Sequence, residues 1–86
     1  MVKYTKLPAI SGKKLIKLLQ KNGWIIHRRT RHGIALIKVV NGRTRTTIVQ
    51  DTIVSIPDGT LLDILGQKQT GIGKKGLLKL VNKYGI

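Results

Sequence analysis

Asn41-Gly42 restricts the fold of this chain more than any other stretch of it. The dipeptide separates IALIKVV (34–40) from TRTTIV (44–49), two runs rich in β-branched residues. Asn-Gly suits the two central positions of a tight turn in which both residues take positive φ, so the runs are expected to pair as an antiparallel hairpin. The turn also fixes a register: Val40 opposite Arg43, Val39 opposite Thr44, Lys38 opposite Arg45, Ile37 opposite Thr46 and Leu36 opposite Thr47.

A third strand candidate, WIIHRR (24–29), precedes these and is joined to them through Thr30–Gly33. Closing that turn with Arg29 opposite Ile34 sets Arg28 against Ala35, His27 against Leu36, Ile26 against Ile37 and Trp24 against Val39. Provided neither hairpin is bulged, the alternation sorts the sheet into two faces. Trp24, Ile26, Ala35, Ile37, Val39 and Ile48 form the expected core face. His27, Arg29, Leu36, Lys38, Arg43, Arg45 and Thr47 form an expected exposed, basic face, with His32 at the hairpin tip on the same side.

Helical periodicity flanks the strands. SGKKLIKLLQKNG (11–23) reads as an amphipathic helix with Ser11 as N-cap, Leu15, Ile16, Leu18 and Leu19 on one face, and Gly23 as the stop. TLLDILGQ suits a short helix entered through Pro57 and Asp58, with Asp58 as a cap, and KKGLLKLVNKYG suits a last one. Gly71–Gly73 is the expected hinge between them. The order α-β-β-β-α with an added C-terminal helix implies helices on one face of a three-stranded antiparallel sheet, an α+β fold. Eighty-six residues make a single domain, residues 1–86, able to bury roughly 60–65% of the surface of the unfolded chain.

Charge narrows the function. Seventeen Lys and Arg against three Asp give a net charge of +14, and residues 1–45 carry twelve of those cations with no acid at all. Self-repulsion of this size points to a polyanion or an acidic partner. The absence of cysteine excludes disulfides, thiolate metal sites and a cysteine nucleophile. Neither a signal-peptide h-region nor a membrane-length apolar run occurs, so a cytoplasmic location is expected.

HRRTRHGI (27–34) gathers both histidines and three arginines. The residues leave two readings of His32 open: a surface histidine in a basic loop, or a proton shuttle for RNA strand scission. In the second, the 2′-hydroxyl loses a proton, the leaving 5′-oxygen gains one, and Arg or Lys offsets charge on the phosphorane-like transition state, with no metal required. His27, about 13 Å from His32 along a strand, cannot share a phosphate with it and is a sheet-face contact or a solvated residue. Asp51, Asp58 and Asp63 are too scattered for a two-metal nuclease. GQKQTGIGKKG fails as a phosphate loop because Lys75 stands where Ser or Thr would reach magnesium. No cofactor is expected. RNA would be held by Arg29, Arg31, Lys38, Arg43 and Arg45, with Lys13 and Lys14 on the first helix. With one Trp and two Tyr, backbone tracking fits better than base stacking. A noncatalytic RNA- or DNA-binding regulatory module using the same basic face is the alternative.

KLPAISGKKLIKLLQKNGW (6–24), HRRTRHGIALIK (27–38), GRTRTTIV (42–49) and the Gly59-Thr60-Leu61 of DGTLLDIL, in this order over about residues 6–70, resemble the HicA family of messenger-RNA interferase toxins, also called YcfA-like proteins. The resemblance implies a double-stranded-RNA-binding-domain-like fold, metal-independent cleavage of mRNA, and silencing by a HicB-type antitoxin in a type II toxin–antitoxin system. The family's Gly-Ser-His-His motif aligns with Thr30-Arg31-His32-Gly33, so only its catalytic first histidine carries over, as His32. A Pro-x-His element frequent after the third strand is replaced by Val49-Gln50-Asp51.

Overall fold

The first helix, α1 (Gly12–Lys21), starts where the Ser11 hydroxyl accepts a hydrogen bond from the Lys14 amide at 3.3 Å. This satisfies one of the amides that a helix start leaves without a partner. The helix ends at Asn22, and Gly23, at φ 94°, turns the chain into the sheet. Leu15, Ile16, Leu18 and Leu19 are buried, and the lysines between them face solvent, as the periodicity predicts. The computed structural model describes residues 4–85.

Three antiparallel strands follow, β1 (Ile25–Thr30), β2 (Gly33–Val40) and β3 (Arg43–Val49), in the spatial order β1-β2-β3. Asn41 at φ 52° and Gly42 at φ 78° form the second turn, and every β2–β3 pair falls in the predicted register. The first hairpin keeps its predicted pairs only near its tip, Arg29 with Ile34 and Arg28 with Ala35. A bulge between Ile26 and Arg28 then leaves His27 unpaired and places Ile26 opposite Leu36 and Ile25 opposite Ile37. Trp24 lies ahead of the strand and is buried, its indole N–H without a hydrogen-bond partner among the described residues.

Trp24 and Ala35 are buried as the alternation predicts, but for most of the sheet the face assignment is inverted. Ile34, Leu36, Thr47 and Val49 point at the helices and are buried, on the side expected to be basic and exposed. Ile25, Val39 and Ile48, on the side expected to be core, are 64%, 67% and 43% exposed, and no helix covers them. Two things defeated the pattern. Both faces of β2 are apolar, so alternation alone could not choose between them. Of the cations on the inner side, Lys38 and Arg45 carry their heads past the sheet to the backbone carbonyls of Asn22, Gln67 and Gln69, and Arg29 carries its own to Asp51.

After β3 the chain runs back antiparallel beside α1: the Ile56 amide donates to the Ile10 carbonyl at 2.8 Å and the Lys13 amide to the Thr52 carbonyl at 3.0 Å. The approach is so close that a Cβ on Gly12 would overlap the Gln50 carbonyl oxygen. Helix α2 (Asp58–Leu65) has Pro57 at its N-cap, so Asp58 lies inside the first turn rather than capping it. There its carboxylate still opposes the positive end of the helix dipole. Helix α3 (Gly73–Tyr84) adds Leu77, Leu80 and Val81 to the core formed by α1, α2 and the sheet, so it belongs to the same core as the rest. The architecture is α+β, three helices on one face of an open three-stranded sheet. Among the described residues no helix is long and apolar enough to cross a membrane.

Candidate nucleic-acid interface

Arg31 and His32 occupy the tip of the first hairpin, both exposed. The turn is tied internally: the Thr30 hydroxyl donates to the Gly33 carbonyl at 2.9 Å and accepts from the His32 amide at 3.1 Å. Gly33, at φ 139°, packs so close to Val49 that a Cβ would stand 2.4 Å from its carbonyl oxygen. That contact fixes the tip against the end of β3. The imidazole of His32 makes no hydrogen bond to any described residue, which leaves both ring nitrogens to solvent or substrate.

Asp51 organises the cations beside the tip. Its carboxylate accepts from the Lys13 ammonium at 3.0 Å and from the Arg29 guanidinium at 3.2 Å, joining the first turn of α1 to β1. The Lys13 hydrogen bond, assisted by that from Arg29 and opposed by partial burial, holds the Asp51 carboxyl below its ordinary range. Lys13, Arg29, Arg31 and His32 therefore gather at one end of the molecule, whereas Lys14 lines a shallow pocket with Lys17, Lys21 and Tyr84. Three cations against one carboxylate leave that end net positive.

Lys38, Arg43 and Arg45 lie elsewhere. They lie toward the Asn41-Gly42 turn, Lys38 and Arg45 about five strand residues (~17 Å) and Arg43 about seven (~23 Å) from Gly33 at the hairpin tip, so no single phosphate reaches both sets. Two of the three are engaged within the fold. The Lys38 ammonium donates to the Asn22 carbonyl at 2.7 Å, fastening the end of α1, and the Arg45 guanidinium donates to the Gln67 and Gln69 carbonyls at 2.9 and 3.2 Å. Thr47 adds a hydroxyl bond to the Gln69 side chain at 2.6 Å. The predicted continuous basic sheet face is therefore replaced by a cationic end at the hairpin tip and a second group whose main partners are backbone carbonyls. His27, exposed on the bulge, belongs to neither.

Two features were hidden from the sequence reading. Asp51 carries no local signal of its role because its partners lie 38 and 22 residues away. Tyr84 closes over α1: its hydroxyl donates to the Lys21 carbonyl at 3.5 Å, and the Lys21 and Lys83 ammoniums each lie 5.3 Å from its ring centre. Such cation–π contacts hold an aromatic ring within a basic surface. Among the described residues no group of three or more His, Asp or Glu side chains converges as metal ligands would. No protein-family profile, curated protein or solved structure matches the chain.

Proposed function

We propose that the protein binds RNA at the hairpin-tip end and acts as a metal-independent endoribonuclease, the toxin of a type II toxin–antitoxin pair. The observation that carries this reading is the juxtaposition at that end: an exposed imidazole whose ring nitrogens have no partner among the described residues, beside Arg31 and near the Asp51-linked pair Arg29 and Lys13. The resemblance to HicA proteins supports it, as does an element order compatible with a double-stranded-RNA-binding-domain-like arrangement.

In this reading the cations seat the phosphates of the strand and hold one phosphodiester against His32. The neutral imidazole takes the proton of the 2′-hydroxyl as that oxygen bonds to phosphorus. The bond from phosphorus to the 5′-oxygen breaks, and the imidazolium returns the proton to the departing oxygen. The products are a 2′,3′-cyclic phosphate and a 5′-hydroxyl, with no net change in the protein. Arg31, and Arg29 when released from Asp51, offset the charge gathered on the equatorial oxygens. An acidic HicB-type antitoxin would silence the activity by occupying the same cationic end.

Incubation with RNA in the presence of EDTA should give cleavage that His32→Ala lowers by about 10²–10⁴-fold, the usual worth of a general acid–base group. RNA affinity and thermal stability of the variant should stay at wild-type level, and expression of the wild type alone should arrest growth. Equal cleavage by the variant would remove His32 from the chemistry. One observation favours a second reading, a noncatalytic RNA-binding module: among the described residues no side chain orients the His32 ring, whereas an acid–base histidine usually has such a partner. That module binds RNA with the same salt dependence and yields no product at any protein concentration.

A further inference from the structure

The sheet face away from the helices has a composition unlike the rest of the surface. Ile25, Ile37, Val39 and Ile48 stand on it with Ala35, flanked by Thr44 and Thr46. Ile25 is 64% and Val39 67% exposed. Of the strand positions on this side only Arg28 is charged, in a chain with seventeen Lys and Arg. The sequence of β2, GIALIKVV, is nearly continuous in apolar residues, the pattern of a strand covered on both sides. The helices cover one side only.

We propose that this face is covered by a second copy of the chain, sheet against sheet about a two-fold axis. Charge selects the occupant. A nucleic acid, or an acidic protein of the kind that would neutralise +14, finds no row of cations here to pair with. Two copies of a strongly basic chain, by contrast, can approach one another only through a surface that lacks charge, and this is such a surface. A two-fold arrangement makes the patch its own partner, so that Ile25, Val39 and Ile48 of each copy pack against the same residues of the other. Sheets stacked about 10 Å apart would interdigitate these side chains as a β-sandwich does. The cationic hairpin tips and the helix layers stay outside the contact.

The size of the face predicts the strength of the pairing. Three strands about 4.8 Å apart and about seven residues long give a footprint on the order of 350 Å² per copy. At about 700 Å² for the two copies together this is smaller than a standard specific interface, so the pairing is weak and transient and is expected only at high micromolar concentration. It also carries an electrostatic signature. Repulsion between two basic copies weakens as salt shortens the Debye length, so this dimer should strengthen with salt, whereas any complex held by opposite charges weakens.

Analytical ultracentrifugation of the nuclease-treated protein from about 20 to 500 µM, at about 0.05 and 0.5 M NaCl, tests this directly. The expected result is a reversible monomer–dimer equilibrium whose dissociation constant falls at least about threefold at the higher salt. Val39→Thr with Ile48→Thr keeps β-branched side chains at two exposed positions and should leave a monomer throughout, with an unchanged circular-dichroism spectrum and melting temperature. A wild type monomeric over the whole range, a dimer that survives the double substitution, one that dissociates as salt rises, or assembly beyond two copies would each overturn the proposal. Should the double variant unfold, Ile25→Thr, on the edge strand, supplies the same readout.

Discussion

At the scale of single residues, Asp51 sets how much positive charge the hairpin-tip end presents. Replacing it with Asn releases Lys13 and Arg29 together. RNA affinity at low salt should rise, and the slope of log K against log salt should steepen by about 0.7–0.9 for each cation that gains a phosphate, measured by fluorescence anisotropy over a salt series. The same carboxyl gives the molecule a pH dependence. Its folded pKa is depressed, so its contribution to stability is complete above the ordinary carboxylate range and is lost as pH falls through the folded value. The melting temperatures of wild type and Asp51→Asn should therefore differ at pH 6 and converge below about pH 4. Nothing local in the sequence distinguishes Asp51 from Asp58 or Asp63. Its role arises from two contacts that only the tertiary fold creates.

Among the elements, β2 offers the sharpest comparison, since alternate residues of one strand meet opposite surroundings. Leu36→Ala should cost about 2–5 kcal/mol in urea denaturation, because the side chain is wholly enclosed between sheet and helices. Val39→Thr, three residues on and exposed, should change stability by no more than about 0.5 kcal/mol. The opposite ranking would restore the face assignment made from sequence. Gly33→Ala should loosen the hairpin tip by about 1–3 kcal/mol or more, since its Cβ meets the Val49 carbonyl at 2.4 Å and its φ of 139° disfavours any side chain. The strands, the Asn-Gly register and α1 were legible because each rests on a local signal: periodicity, a cap, a turn dipeptide. The bulge at His27 was not, since nothing in WIIHRR marks an extra residue. The choice of covered face was equally hidden, because it depends on where the helices land on a sheet that is apolar on both sides.

For the whole molecule, the net charge governs behaviour in solution. Screening should raise the melting temperature as NaCl goes from about 0.02 to 0.3 M, even as the same salt weakens RNA binding. Stabilisation by salt together with loss of affinity would separate repulsion within the fold from attraction to a ligand. The core itself joins the two ends of the sequence. The Asn82 side chain accepts from the Tyr4 amide at 2.6 Å and donates to the Tyr4 carbonyl at 3.0 Å, pairing positions 78 residues apart, while Leu77, Leu80 and Val81 complete the packing around α1. A nascent chain emerging from the ribosome would thus carry its hairpins well before the helix that closes the core around α1. Translation has to pass residue 82 before the native packing can close, so the core is completed only once α3 has been made.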